Sequence, residues 1–126
     1  MFATLRTTNS SPGRASKMTS GDTREMLATV PGEVWLTETG AIVKLGNSRQ
    51  FAYSEARAAS RTRWMFRLAG RLDSPRRGLR SRLTRLYVYK WFGEPPGARF
   101  DAGLVSFDGS PRPAFYVVRR FARSHR

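Results

Sequence analysis

Cysteine is absent from the 126-residue sequence, and histidine occurs once, at His125, next to the last residue. Without thiols the chain forms no disulfide, has no cysteine nucleophile and cannot build a cysteine-based zinc site. Chain ends are usually poorly ordered, so we do not expect His125 to anchor a catalytic triad or a metal centre. The sequence therefore excludes thiol chemistry and disfavours histidine chemistry.

Long apolar runs are also missing. No stretch of 18 apolar residues exists, so the sequence predicts no membrane span. The segment from Met1 to Lys17 lacks the apolar core of a signal peptide, although a region upstream of Met1 could carry one. We therefore assign no localisation.

Acidic residues are scarce, and the composition is otherwise that of a globular protein. Nine Asp and Glu stand against 23 Lys and Arg, which gives a formal net charge of +14. Such a charge means that an acidic partner, nucleic acid above all, has to be considered. The length allows one small domain, and 40% hydrophobic residues are enough for a folded core.

The chain divides into a lead-in and a domain. Residues 1–20 are predicted to be a flexible N-terminal segment, because Thr7 to Ser20 is rich in Ser, Thr, Gly and Pro. Residues 21–126 alternate helix, strand, helix, strand and helix, which favours an α/β fold with a parallel sheet. Two strands cannot close a core, so we interpret this part as a slice of a larger fold.

The three predicted helices have distinct markers. Asp22 and Glu25 have the spacing of a capping box, and Pro31-Gly32 ends the helix that follows. The longest helix is predicted from Gln50 to Ala69, with apolar residues on one arc and arginines on the other. The last runs from Pro113 to Ala122, since proline suits the first helical turn.

The first predicted strand ends in a carboxylate. Residues Glu33 to Glu38 precede the glycine turn at Gly40, and strand alternation would place Val34, Leu36 and Glu38 on one side. A carboxylate at the C-terminal end of a parallel strand occupies the position where α/β folds keep catalytic groups. We therefore predict that Glu38 is catalytic; the alternative is a strand-end glutamate that faces water.

The second predicted strand runs from Leu83 to Trp91 and is apolar on both faces, as for a buried strand. A proline- and glycine-rich break, Gly93 to Gly97, follows it. Asp108-Gly109 then marks a tight turn before the last helix.

These segments resemble one family. Val34-Trp35-Leu36-Thr37-Glu38-Thr39-Gly40 is similar to the nucleophile strand, strand seven, of clan A glycoside hydrolases, which are retaining (β/α)8-barrel enzymes. Tyr87-Val88-Tyr89-Lys90-Trp91 resembles their strand eight, where a tryptophan ends the strand and forms the floor of the sugar site. Asp101 to Val105, Asp108-Gly109 and Arg112-Pro113-Ala114 resemble the segment that leads into their last helix.

The resemblance covers residues 22–122 and implies a partial TIM (β/α)8 barrel with about the last two βα units. It implies that Glu38 is the nucleophile and that Trp91 and Tyr89 bind a carbohydrate substrate. Ordinary aromatic core filling is the alternative for Trp91. We interpret Asp101 and Arg112 as partners that fix loops rather than as substrate ligands. No metal or organic cofactor is implied, since two-carboxylate chemistry needs neither.

The family's pattern is incomplete here. Strands one to six have no counterpart in the sequence, nor does the acid/base glutamate that the family carries on strand four. Retaining hydrolysis needs two carboxyl groups about 5–5.5 Å apart. We therefore expect a C-terminal portion of such an enzyme, inactive without the missing N-terminal barrel portion.

Two other functions remain open. Arginines at 57, 61, 63, 67, 71, 76, 77, 80, 82 and 85 could serve a small basic nucleic-acid-binding protein, whose binding would depend strongly on salt. No helix-turn-helix, zinc-finger or RNA-binding aromatic motif accompanies them. A third interpretation is a structural fragment that docks on a partner which supplies the other strands.

Overall fold

The computed structural model describes residues 2–7, 20–47, 49–74 and 78–124, and the chain has a mixed α/β fold. The strands described there form two small sheets and no closed barrel. In chain order the elements are β1 (Phe2–Thr7), α1 (Ser20–Thr29), β2 (Gly32–Gly40), β3 (Lys44–Leu45), a 3-10 turn (Arg49–Phe51), α2 (Glu55–Leu72), β4 (Ser81–Val88), β5 (Phe100–Asp101) and α3 (Pro113–Ser124).

Contacts divide the chain into two compact units. The first contains Met1–Thr39 and Arg67–Val88, and the second contains Gly40–Phe66 and Tyr89–Arg126. Most of the segment predicted to be flexible, residues 8–19, lies outside the described residues, whereas Phe2–Thr7 forms β1.

A three-stranded sheet in the order β1-β2-β4 organises the first unit. β2 and β4 are parallel neighbours, and α2 connects them in sequence, so the predicted pair of parallel strands separated by a helix is confirmed. Val34 lies opposite Leu83, and Leu36 lies opposite Leu86.

The core of this unit is aliphatic. Fully burying one such side chain stabilises a fold by roughly 1.5–3 kcal/mol. The cluster therefore fixes the position of β2, the strand that carries Glu38. Its members come from α1, β2, the end of α2 and β4: Leu27, Val34, Leu36, Leu72 and Leu83.

The second unit combines buried apolar residues with a buried loop that contains charged residues. β3 and β5 pair antiparallel over two residues each, with Lys44 opposite Asp101. Ala41, Val43 and Ala58 form a small buried cluster. The loop that leads into α3 is buried as well, through residues 101–105 and Arg112. This unit therefore depends on the contacts of a buried loop that contains charged residues.

The starts of two helices differ from the prediction. α1 begins at Ser20, so the capping-box pattern that starts at Asp22 lies inside its first turn. α2 begins at Glu55 rather than near Gln50, because the hydroxyl of Ser54 accepts a hydrogen bond from the backbone amide of Arg57 (3.2 Å) and caps the helix there.

The end of α2 also differs. The helix continues through Gly70 to Leu72, which is 5% exposed. Burial of the leucine offsets the cost of a helical glycine, which is about 1 kcal/mol. The two-faced pattern is confirmed: the buried residues are Ala58, Ala59, Thr62, Met65 and Phe66, and the exposed arginines are Arg61, Arg63, Arg67 and Arg71.

The second predicted strand is shorter than expected. β4 ends at Val88, so Trp91 lies three residues beyond it. Burial on both faces is also wrong, since Arg82, Arg85 and Tyr87 are exposed. β4 is an edge strand of its sheet, and an edge strand has fewer neighbours to cover its side chains. The predicted start of the last helix at Pro113 is confirmed.

Candidate functional site

Glu38 lies near the carboxyl end of β2, where the strand pairing is irregular. Leu36 lies opposite Leu86 and Thr39 opposite Val88, so β2 advances three residues while β4 advances two. The extra residue is a β-bulge between Leu36 and Thr39. Bulges bend a strand and re-aim the side chains around them, and they are frequent beside active sites.

The bulge changes which side chains are buried. Val34 and Leu36 are buried, and unbroken alternation would bury Glu38 with them. Instead Glu38 is exposed, and Thr39 is fully buried. The predicted shared face of Val34, Leu36 and Glu38 is therefore interrupted at Glu38, which is an exposed residue.

Two contacts hold the end of β2 against β4. The Thr39 hydroxyl donates a hydrogen bond to the backbone oxygen of Tyr87 (2.7 Å). Earlier in the strand, the guanidinium carbon of Arg85 lies 4.7 Å from the centre of the Trp35 ring. Arg85 belongs to the neighbouring strand, β4. These contacts attach β2, the strand that carries Glu38, to β4.

Glu33, near the other end of β2, is too far from Glu38 to serve as the second carboxylate of a hydrolase. Glu33 lies five residues earlier, and at about 3.3 Å per strand residue that is roughly 16 Å away. Its Oε2 accepts a bond from the Thr84 hydroxyl (3.4 Å). The separation required for retaining hydrolysis is about 5–5.5 Å, so Glu33 cannot be the partner.

The predicted sugar-binding residues, Tyr89 and Trp91, belong to the second unit. The backbone around them is anchored: Leu104 N donates to Lys90 O and Val105 N donates to Trp91 O, each at 3.0 Å. The Trp91 side chain is 54% exposed, and its ring meets Phe115 edge-to-face with centroids 5.7 Å apart. Trp91 is therefore supported from one side and open to solvent, which core filling would not predict.

Asp101 and Arg112 form a buried ion pair. Arg112 Nη1 donates to Asp101 Oδ1 (3.0 Å) and Nη2 donates to Oδ2 (2.8 Å). Arg112 Nη1 also donates to the backbone oxygen of Gly103 (3.0 Å), while Gly103 N donates to Asp101 Oδ1 (2.9 Å). The prediction that the two residues fix the loop between them is confirmed.

The ion pair changes the pKa of both partners. Burial raises the pKa of Asp101, but the hydrogen bonds from Arg112 and from the Gly103 amide together lower it by more, and the net pKa lies below the usual range. The hydrogen bond to Asp101 raises the pKa of Arg112. Both side chains are therefore charged at neutral pH.

Sequence reasoning missed an extension of this pair. Arg112 Nε lies 3.3 Å from Glu55 Oε1, an ion pair without hydrogen-bond geometry. The Tyr53 hydroxyl donates to the same oxygen (2.5 Å), and this bond raises the pKa of Tyr53. The local pattern does not indicate the contact between Arg112 and Glu55, because the two residues lie far apart in the chain.

The arginines have different roles. Arg57 donates to the backbone oxygens of Val43 (2.9 Å) and Ala52 (2.7 Å), so it holds the fold together. Arg80 and Arg85 also make contacts inside the first unit. Arg76 and Arg77 lie outside the described residues. On α2, Arg61, Arg63, Arg67 and Arg71 are exposed.

Among the described residues, no three His, Asp or Glu side chains are grouped so that they could hold a metal ion. None of the helices in that part of the chain is both long and apolar enough to cross a membrane. No model of a known protein family matches the sequence, and a search of curated proteins found no match either.

Proposed function

We propose that the chain carries the nucleophile strand of a retaining glycoside hydrolase and that Glu38 is the nucleophile. The observation that supports this most is the position of Glu38 at the bulged carboxyl end of β2, a strand that runs parallel to β4. Catalytic groups of α/β barrels come from this end of the strands.

In this proposal β2 and β4 are the last two strands of a (β/α)8 barrel. Their parallel pairing, with α2 between them in the chain, has the connectivity of one βα unit followed by the next strand. β4 lies at the edge of its sheet, and in a closed barrel that edge pairs with the first strand. The acid/base carboxyl group comes from residues outside this sequence.

The chemistry assigns one step to Glu38. Its carboxylate attacks the anomeric carbon, the bond to the leaving oxygen breaks, and the acid/base carboxyl group protonates that oxygen. The same group then takes a proton from water, which attacks the anomeric carbon and releases the sugar and the Glu38 carboxylate. Trp91, with Tyr89, is assigned the sugar-stacking role in this proposal, and the exposed ring of Trp91 is suited to it.

The test needs the enzyme with any upstream coding region joined in frame, assayed on aryl glycosides. We expect Glu38→Gln to lower kcat by about a thousandfold or more, because the nucleophile is lost. Glu33→Gln, at the opposite end of the same strand, is the matched control and should leave kcat unchanged.

A second readout identifies the role of the carboxylate. Azide added to the Glu38→Ala variant should restore turnover and yield a glycosyl azide of inverted anomeric configuration, because azide attacks where the carboxylate would. Normal turnover of Glu38→Gln would refute the assignment. So would an azide product of retained configuration.

The rival function, nucleic-acid binding, has one supporting observation: the exposed arginines on α2. It predicts that Arg63→Glu combined with Arg67→Glu weakens binding to a DNA duplex and reduces its salt dependence. If the chain is instead part of a glycosidase, the same double variant should change only a weak, non-specific association with DNA.

A further inference from the structure

The second unit contains a groove of about 410 Å³. Its lining comes from β3, β5 and three loop segments, all within this unit. The volume falls within the range of roughly 300–1,000 Å³ that is usual for small-molecule sites. The sequence pattern does not indicate this groove.

Exposed aromatic rings and prolines line the groove. Tyr53 is 57% exposed and Phe107 is 60% exposed, and Pro95 and Pro96 are exposed as well. Aromatic side chains contribute large apolar contact areas when a ligand covers them. The groove therefore offers flat apolar surfaces that a ligand with apolar faces would remove from water.

Hydrogen bonds order the Tyr53 side chain and the backbone turn that carries Phe107. The hydroxyl of Tyr53 is bound to Glu55, which is bound in turn to the buried Arg112. Phe107 sits in a tight turn in which Ser110 N donates to Asp108 Oδ1 (2.9 Å) and Gly109 N donates to Ser106 O (3.0 Å). Groups that are already ordered lower the entropic cost of binding.

The charge of the groove differs from that of the chain. Its lining contains two cations, Lys44 and Arg112, and three carboxylates, Glu94, Asp101 and Asp108, so its formal charge is −1 within a chain of +14. Hydrogen bonds from Ser106 and Ser110 lower the pKa of Asp108 to about 2, so this carboxylate is charged at neutral pH. The net negative charge of the lining disfavours the binding of phosphates and nucleic acid. Its carboxylates accept hydrogen bonds, and the ammonium group of Lys44 donates them.

We propose that this groove binds a neutral saccharide. The rings of Tyr53 and Phe107 lie against the apolar faces of the sugar, and Lys44, Glu94 and Asp108 bind its hydroxyl groups. The choice of a sugar rests in part on the proposed function, whereas the groove is built without Glu38.

The experiment is a titration of the full chain, followed by amide NMR spectra, with cellotetraose, xylotetraose, mannotetraose and laminaritetraose in turn. We expect at least one of them to shift the amide signals of Glu94, Gly97, Ala98 and residues 106–110. Because the bound sugar is uncharged, its Kd should change less than about twofold between about 50 and 200 mM salt.

Variants identify the groove as the place of binding. Phe107→Ala should weaken binding by about twofold to tenfold, and Tyr53→Phe, which keeps the ring but loses the bond to Glu55, should weaken it less. Tyr116→Ala is the matched control, because Tyr116 is a similarly exposed aromatic (52%) of the same unit that does not line the groove. It should bind sugar like the native chain.

The proposal is overturned if none of the four oligosaccharides shifts these amides, or if Phe107→Ala binds like Tyr116→Ala. It is also overturned if a proline-rich peptide or a DNA duplex produces the shifts and the sugars do not. Glu38→Gln separates the two proposals: groove binding that persists in this variant supports the groove whether or not Glu38 proves to be the nucleophile.

Discussion

The buried ion pair between Asp101 and Arg112 provides the sharpest test of how the second unit is stabilised. Arg112 is 4% exposed and Asp101 is 5% exposed, and three hydrogen bonds run from Arg112 to Asp101 and Gly103. Arg112→Met keeps most of the side-chain volume but removes the charge and all of its donors. Asp101 then remains as a buried carboxylate without its main counter-charge.

The expected cost follows from that burial. Removing one partner of a buried pair destabilises a protein by about 3–5 kcal/mol, because the other charge is left uncompensated. Replacing both, as in Asp101→Leu with Arg112→Met, should cost about 2 kcal/mol less than the sum of the two single changes. A small domain has about 5–15 kcal/mol of stability, so the single change should remove a large fraction of it.

The pH dependence should change sign. In the native chain the pKa of Asp101 is lowered, so the unfolded chain takes up the proton first as the pH falls below about 4. The stabilisation that the ionised Asp101 contributes is therefore present above about pH 4. It is lost as the pH falls through the pKa of Asp101 in the folded chain. In Arg112→Met, burial without the guanidinium raises the pKa of Asp101 above that of the unfolded chain. Acid should then stabilise the variant relative to its own value at neutral pH.

The measurement is urea unfolding of the full chain, followed by circular dichroism and tryptophan fluorescence across this pH range. Glu94→Gln is the control, because the Lys90–Glu94 pair is partly exposed (24% and 35% of the side chains) and should be worth about 0–1 kcal/mol. The reasoning is refuted if Arg112→Met costs no more than this control. Additive effects of the two single changes would also refute it.

Other predictions concern glycine, a helix cap and a turn. Gly103→Ala should destabilise the fold by about 1–3 kcal/mol, because its Cβ would lie 2.5 Å from the carbonyl carbon of Phe92. Gly70→Ala places its Cβ where no atom lies within 4 Å, so it should stabilise the fold by about 0.5–1 kcal/mol in the same unfolding assay. Ser54→Ala should cost about 0.5–2 kcal/mol, and Ser54→Asp should restore most of the loss, since the carboxylate can cap α2. The Asp108 carboxyl should titrate by NMR with a pKa of about 2, and the turn it stabilises should loosen as the pH falls from about 4 towards that value.

Each of these has an outcome that would contradict it. Equal stability of Gly103→Ala and Gly70→Ala would mean that the backbone approach at Gly103 is relaxed in solution. No recovery in Ser54→Asp would remove Ser54 from the capping role. An Asp108 pKa near 4 would mean that the hydrogen bonds from Ser106 and Ser110 do not persist.

Much of the secondary structure was predictable, because it depends on local periodicity and local backbone chemistry. The two faces of α2 follow from apolar residues at helical spacing, and the start of α3 follows from the fixed φ of Pro113. The turn at Gly109, with φ of 88°, needs the left-handed conformation that glycine adopts without strain. The parallel pairing of β2 with β4 follows from a helix that separates two strands in the chain.

Boundaries were less predictable. The cap at Ser54 and the continuation of α2 through Gly70 depend on a hydrogen bond and on the burial of Leu72, and several nearby residues could have served equally well by pattern alone. The length of β4 also depends on its neighbours, since a strand ends where its partner stops pairing, here at Thr39 opposite Val88.

Of the candidate site, the sequence determined that a carboxylate, Glu38, lies near the end of an apolar strand, and that Asp101 and Arg112 flank a loop. Tertiary structure decided the rest. The bulge that exposes Glu38 is a mismatch between two strands and belongs to neither sequence segment alone. The contact between Glu55 and Arg112 joins residues that are distant in the chain, and so does the groove, whose lining includes Tyr53 and Arg112. Local patterns report which side chains share a face, whereas the register between strands and the meeting of distant loops depend on the packing of the whole chain.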